Sequence, residues 1–125
     1  MKNLEMSSSK KITRENFRNA VFKRDGYRCV CCGLKSSPEN AEQDLDAHHI
    51  IDRNDIENGG YVNSNAITLC KFPDGGCHWK AEALHRDGKA EPGFSPDDLF
   101  AKIGSSTEQA RSDAKKLDKN ALASH

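Results

Sequence analysis

The sequence lacks any long apolar stretch. No run of about 18 apolar residues occurs anywhere in its 125 residues, so the sequence predicts no transmembrane helix. Residues 1–11 are rich in lysine and serine and have no apolar segment of the kind found in a signal peptide. We therefore expect the protein to stay in the compartment where it is made.

Apolar and aromatic residues are also scarce. Only 35% of the residues are hydrophobic and 6% are aromatic, and the mean hydropathy is −0.81. Such a chain has room for one domain with a small core, and small cores are usually reinforced by metal sites or disulfides. Because no secretion signal is expected, the five cysteines indicate metal binding before disulfides.

Net charge is zero, but the charges are unevenly distributed. Residues 1–35 contain nine Lys/Arg and three Asp/Glu, whereas residues 36–76 contain two Lys/Arg and eight Asp/Glu. A basic segment beside an acidic, histidine-containing centre suits a polyanionic partner held next to a cation. The alternative is a solvated basic helix without a partner.

The local patterns predict an α+β chain without internal repeats. Serine, proline and two acids at 95–98 are a strong helix start, and the β-branched pair Ile50-Ile51 favours an extended chain. The C-terminal residues 105–125 have few large apolar side chains and predict a marginal surface helix or a frayed tail. The predicted elements are a helix over 14–22 capped by Thr13, strands over 45–51 and 66–69, and helices over 77–85 and 96–103.

Four cysteines form two pairs on either side of the histidines. Cys29 and Cys32 have the C-x-x-C spacing of a zinc knuckle, and Cys70 and Cys77 follow the second predicted strand. Together they predict one tetrahedral structural zinc site; the alternative is four reduced cysteines without a metal. Cys31 is adjacent to Cys32 and cannot easily ligate the same ion, so it is expected to be free or part of the core, with a 29/31 pairing less favoured.

The adjacent histidines His48 and His49 are expected to differ in role. Neighbouring side chains in a strand point to opposite faces. His48 can share a divalent cation with His78 at the start of the predicted helix, which leaves His49 to accept a proton from water. One cation and one positioned base suffice for phosphodiester hydrolysis. The alternative is a pair of polar histidines in a strand or turn without a chemical role.

The ordered motifs resemble the HNH endonuclease family of phages and bacteria. These ββα-metal (His-Me finger) nucleases carry an accessory zinc knuckle. The resemblance spans residues 14–85, more than half of the chain. Its motifs are Arg24-Asp25-Gly26-Tyr27-Arg28-Cys29-x-x-Cys32-Gly33, Asp46-Ala47-His48-His49-Ile50, Gly59-Gly60, Asn65-Ala66-Ile67-Thr68-Leu69-Cys70 and Cys77-His78.

The resemblance implies a small ββα-metal nuclease domain over 13–88, with a structural zinc site and flanking helices. A disordered basic arm, 1–12, would precede it, and a helical extension, 89–125, would follow. The implied activity is metal-dependent hydrolysis of DNA, by nicking or double-strand cleavage, that leaves 5′-phosphate and 3′-hydroxyl ends. The implied cofactors are Mg²⁺, Mn²⁺ or Ni²⁺ at the catalytic site and a structural Zn²⁺. The implied location is the bacterial cytoplasm or a phage-infected host, as a monomer or a homodimer, without a membrane partner.

The family motifs also imply roles for individual residues. His49 matches the general base, and His48 and His78 match the ligands of the catalytic cation. Asn65 matches the middle asparagine, which orders the loop or helps to bind the metal. Glu82 is expected to be a solvated helix residue in preference to a further ligand, and Asp46 a strand-end residue.

DNA is the expected partner, held through its phosphates instead of its base edges. The second function that the sequence allows is a non-catalytic zinc-binding module that holds nucleic acid or a protein. The expected phosphate contacts are Arg14, Arg18, Lys23, Arg24 and Lys80.

Overall fold

The structure, a computed structural model, describes residues 14–117. The predicted basic arm, the capping residue Thr13 and the last eight residues lie outside this range. The described elements confirm the α+β class. In chain order they are α1 (14–24), α2 (Ala41–Asp44), β1 (Leu45–His49), β2 (Ala66–Cys70), α3 (Gly76–Ala81), α4 (Ala83–Asp87), α5 (Pro96–Lys102) and α6 (Thr107–Lys115), with 3₁₀ turns at Glu57–Gly60 and Asn63–Asn65.

The two strands form an antiparallel hairpin. Its register pairs Leu45 with Cys70 at one end and His49 with Ala66 at the other. The first strand ends two residues earlier than predicted. The N–H of Ile51 donates to the side-chain oxygen of Asn65 at 2.9 Å. A hydrogen bond to a side chain therefore takes the place of backbone pairing between the strands at this position.

The helix predicted over 77–85 is divided into α3 and α4 at Glu82. Its backbone nevertheless stays helical, with φ −74° and ψ −10°, and the N–H of Glu82 donates to the carbonyl of His78 at 2.9 Å. Residues four and three apart on a helix share a face. His78, Glu82 and His85 therefore lie along one side of this helical segment.

The C-terminal segment shares the core of the rest of the chain. Leu99 and Phe100 of α5 belong to the same buried cluster as Leu69 of the hairpin. The predicted start of α5 is confirmed, because Ser95 and Asp98 form a reciprocal capping box. The segment predicted as a separate extension therefore packs on the same core as the hairpin.

Of the two alternatives predicted for residues 105–125, a marginal surface helix or a frayed tail, the described part forms a helix, α6, and this helix is anchored on the rest of the chain instead of marginal. Ala110 and Ala114 are both fully buried, and their small side chains let the helix approach the 3₁₀ turns closely. The side chain of Asn58 donates to the carbonyl of Ala114 at 2.9 Å, and Ser64 donates to Asp113 at 2.6 Å. Within 14–117, no helix is both long and apolar enough to cross a bilayer.

Candidate functional site

Four cysteine sulfurs come together at one end of the hairpin. The Sγ atoms of the four predicted zinc ligands all lie within 4.8 Å of one another, and those of Cys32 and Cys70 are 3.6 Å apart. A tetrahedron with Zn–S bonds of about 2.3 Å has edges of about 3.8 Å, so the cluster fits a zinc ion after small shifts. The predicted ligands are Cys29, Cys32, Cys70 and Cys77.

Local backbone geometry explains how the two pairs meet. The N–H of Cys32 donates to the sulfur of Cys29 at 3.4 Å, and the N–H of Cys77 donates to that of Cys70 at 3.3 Å. At Gly76, where φ is +61°, a Cβ atom would lie 2.6 Å from the carbonyl oxygen of Cys70. A glycine at this position therefore allows the long loop between Cys70 and Cys77 to close.

Burial keeps the thiol protons on part of this cluster. It raises the pKa of Cys77 far above the ordinary value and also raises that of Cys70. Burial likewise opposes ionisation of Cys29, but the backbone N–H groups of Cys32 and its neighbours outweigh it and lower the pKa of Cys29. A divalent cation would supply the charge that four thiolates need at close range.

Cys31 lies outside the four-sulfur cluster, as expected. Its side chain is half-buried, and burial raises the pKa of its thiol to about 11, an effect that the Lys102 ammonium opposes. The thiol is therefore protonated near neutral pH.

A second group of ligand atoms lies on one face of the hairpin. Atoms of Asp46, His48 and His78 are all within 4.8 Å of one another. His78 Nε2 is 3.2 Å from Asp46 Oδ2, and it is also 3.2 Å from Oε1 of Glu82. Strand β1, helix α3 and the residue that joins α3 to α4, Glu82, together supply this cluster of two imidazoles and two carboxylates.

The structure corrects two expectations about this cluster. Asp46 is not a strand-end residue: it lies two positions before His48 in β1, so both side chains point to the same face. Glu82 is not simply solvated, because its Oε1 lies 3.2 Å from Nδ1 of His48. Contact with His48, followed by the charge of His78, lowers the pKa of Glu82 to about 2, so this carboxyl group is ionised.

His49 has different neighbours from His48, as the strand geometry predicted. Its ring centroid is 5.2 Å from that of Phe17 and 4.9 Å from that of Tyr61, which crosses it edge-on. Its Nε2 is buried without a hydrogen-bond partner among residues 14–117. Burial first, and His48 second, lower the pKa of His49, so the imidazole is neutral at pH 7 and can accept a proton.

The imidazole of His49 lines the same cleft as three members of the second cluster; the fourth, His48, is not part of the cleft wall. This cleft has a volume of about 340 Å³, and its walls include His49, Asp46, His78 and Glu82. Arg53, which the sequence reasoning missed, lies in the same wall. One bound group could therefore contact a neutral base, a set of oxygen and nitrogen ligands, and a positively charged side chain.

Asn65 lies away from this cleft and orders the neighbouring loop. It is fully buried, and its Oδ1 accepts from the N–H of Ile51 at 2.9 Å. Its Nδ2 donates to the carbonyls of Ile51 and Gly60 at 3.1 and 3.3 Å. The amide is engaged by backbone on both sides, so the loop-ordering alternative fits and the metal-binding alternative does not. Asn65 is a positioning residue.

Replacing Asn65 with alanine should destabilise the fold. The partly buried N–H and carbonyl of Ile51 would lose their partners, at a cost of about 1–3 kcal/mol each, and the carbonyl of Gly60 would keep only the N–H of Val62. We expect a loss of about 3 kcal/mol or more in the free energy of unfolding, measured by urea titration. The matched control is Asn63→Ala, at an exposed position, with an expected change within about 0.5 kcal/mol. Equal stability of the two variants would contradict this role.

Arg24, a predicted phosphate contact, is used within the fold. Its Nε donates to Asp25 at 2.8 Å, and its two terminal nitrogens donate to the carbonyls of Asn63 and Ala66 at 2.6 and 2.7 Å. These bonds join the end of α1 to the start of β2. Arg24 therefore has a structural role within the fold, and its role as a phosphate contact stays a prediction.

The remaining predicted phosphate contacts differ in their surroundings. The guanidinium of Arg14 lies over the ring of Tyr61, 5.9 Å from its centroid, and is therefore beside the cleft. Arg18 pairs with Glu42 at 3.3 Å. The other two, Lys23 and Lys80, are exposed.

Comparison of the chain with family models, with curated proteins and with solved structures finds no match. The resemblance to HNH endonucleases therefore rests on the motifs of the sequence. The chemical roles rest on the geometry of the cleft and the four-sulfur cluster.

Proposed function

We propose that the chain is a metal-dependent HNH endonuclease that hydrolyses DNA phosphodiester bonds with a single divalent cation. One observation carries the proposal. His49, a half-buried histidine whose Nε2 has no hydrogen-bond partner among residues 14–117, shares a cleft with Asp46, His78 and Glu82, and Asp46 and His78 form a ligand cluster with the buried His48. A non-catalytic binding module has no use for a spare base beside such a cluster.

The donor set fits a divalent cation. His48 is 2% exposed, and its Nδ1 makes no hydrogen bond within the described chain although Glu82 is 3.2 Å away. Such a nitrogen is available as a ligand. Carboxylate oxygens suit Mg²⁺ and Mn²⁺, and imidazoles suit Ni²⁺. Asp46, His48 and His78 would hold the ion, and Glu82 would complete the set. When bound, the cation neutralises charge on the phosphate and on the leaving oxygen.

The side chains of the cleft would do the proton transfer and the positioning. His49 takes the proton of the attacking water, which makes the oxygen nucleophilic near neutral pH. Phe17 and Tyr61 hold its ring in one orientation. Arg53 in the cleft wall and Arg14 beside it supply positive charge for the flanking phosphates.

The order of elements also supports the HNH type. Strands β1 and β2 form a hairpin, and α3 packs against both strands. This order of elements is consistent with the ββα unit that the sequence resemblance implies. A structural zinc ion held by the four cysteines would fix the first turn of α3, because Cys77 directly precedes His78.

Replacing Asp46 with alanine should weaken cation binding more than it weakens the fold. A lost carboxylate ligand should raise the cation concentration needed for half-maximal nicking at least tenfold, by analogy with the 10–100-fold effect of losing groups that merely support ligands. The measurement is plasmid nicking against Mg²⁺ or Mn²⁺ concentration. The matched control is Asp97→Ala, an exposed acid on α5. A cation dependence equal to that of the control would contradict the role of Asp46.

A further inference from the structure

We propose that a second cavity, beside the cysteine knuckle, holds the phosphate backbone of the same DNA duplex. We call this cavity the knuckle cavity, and define it by three cations, Arg28, Lys35 and Lys102. The choice of DNA as the partner rests on the proposed function. The inference adds a contact surface that is separate from the catalytic cleft.

Two parts of the chain bring these cations together. Arg28 and Lys35 flank the knuckle, and Lys102 ends α5. The cavity between them measures about 800 Å³, far more than a single phosphate ion occupies. The space suits a segment of a polymeric anion better than it suits a small one.

The arrangement of Arg28 and Lys35 is unfavourable without an anion. Their backbones form an isolated antiparallel bridge, so the two residues are direct cross-strand partners. Side chains of such partners stand on the same face, and like charges directly opposite each other are destabilising. Phosphate between the two side chains would remove this repulsion.

The three cations are not neutralised within the described part of the chain. None of them makes an ion pair there. The other charged side chains in the wall are Arg24 and Asp25, and these two pair with each other at 2.8 Å. Uncompensated positive charge in a wide cavity is the electrostatic requirement for holding a nucleic-acid backbone without reading its sequence.

The knuckle and the catalytic cleft are both attached to the β1–β2 hairpin. The N–H of Val30 donates to the carbonyl of Thr68 at 3.0 Å, which anchors the knuckle on β2. Leu45 and His49 mark opposite ends of β1, four residues apart, or about 13 Å along the strand. This is the rise of about four base pairs. A duplex longer than one helical turn can therefore contact both sites.

A competing role for the same cations is compensation of the thiolates. Four thiolates around Zn²⁺ leave a net charge of about −2, and Cys29 and Cys32 line the knuckle cavity. In that role the cations would support zinc retention and leave DNA affinity unchanged. The two roles therefore predict different measurements.

The test is DNA affinity of the full chain with all three cations replaced by alanine. A His49→Ala background prevents cleavage, and the duplex is about 30 base pairs, roughly three helical turns. We expect the Kd to rise tenfold or more and the slope of log K against log[salt] to fall by about 2.7, at about 0.9 for each phosphate contact. The control variant should change neither the Kd nor the slope. It replaces three exposed lysines with alanine: Lys89, Lys115 and Lys116.

Several results would overturn the inference. One is an affinity and a salt slope equal to those of the control. Another is loss of zinc from the triple variant while its zinc-loaded fraction binds DNA normally. If the triple variant does not fold, each single replacement is measured instead, and each should lower the slope of log K against log[salt] by about 0.9. A slope that stays unchanged in all three single variants would also contradict the inference. If the His49→Ala parent itself binds no duplex, the proposed function fails as well. If the parent binds and the triple variant binds equally well, only the inference about the knuckle cavity fails.

Discussion

Replacing His49 with alanine is expected to reduce plasmid nicking by about 10²–10⁴-fold, the usual contribution of a general base. The imidazole lines the cleft and is half-buried, and this burial keeps its pKa below the ordinary value, so it is neutral near pH 7. Alanine cannot take the proton of the attacking water. The loss should appear in the rate of cleavage under saturating cation.

Three controls separate lost chemistry from lost structure. The variant should keep its zinc, its unfolding midpoint within a few degrees and its affinity for a DNA duplex. Added imidazole should restore part of the activity, because the substitution leaves a space between the rings of Phe17 and Tyr61. Nicking within tenfold of the unmodified chain would show that His49 is not the base.

Replacing Cys70 with serine is expected to unfold the chain. Structural zinc contributes roughly 10–16 kcal/mol of apparent binding free energy in small domains, whereas a whole domain is stable by only about 5–15 kcal/mol. Cys70 joins β2 to the knuckle and to α3, so its loss removes a ligand from the centre of the fold. The measurements are zinc content and the cooperative thermal transition followed by circular dichroism.

Cys31→Ser is the matched control for that change. Cys31 is next to Cys32 in sequence but outside the four-sulfur cluster. This variant should keep about one zinc ion per chain and a thermal transition close to that of the unmodified protein. A Cys70→Ser protein that stays folded and retains its zinc would contradict the assigned ligand set.

The parts of the structure that were predictable from the sequence depend on local signals. The spacing of the four cysteines predicted a cluster that the fold assembles. The helix start at Ser95 was predictable because its capping groups lie within four residues of one another. The separation of His48 from His49 followed from the alternation of side chains in a strand.

Other features depended on contacts between distant residues. The carbonyls that engage Arg24 are 39 and 42 residues away, so its structural role had no local signal. Helix α6 docks through alanines, which carry little hydrophobic signal, onto turns about fifty residues earlier. Asp46 is a different case. The predicted strand over 45–51 already placed Asp46 two positions before His48, but its approach to His78, 32 residues later, had no local signal.

The most direct test of the proposed function is nicking of a supercoiled plasmid by zinc-loaded protein from which EDTA has removed loosely bound cations. The unmodified chain and His49→Ala are assayed side by side, without added metal and with Mg²⁺, Mn²⁺ or Ni²⁺. We expect cleavage to return on adding cation, in the unmodified chain only, with about one zinc ion retained per chain. Retained zinc without cleavage under any of the three cations would contradict the nuclease proposal and indicate a non-catalytic zinc-binding module.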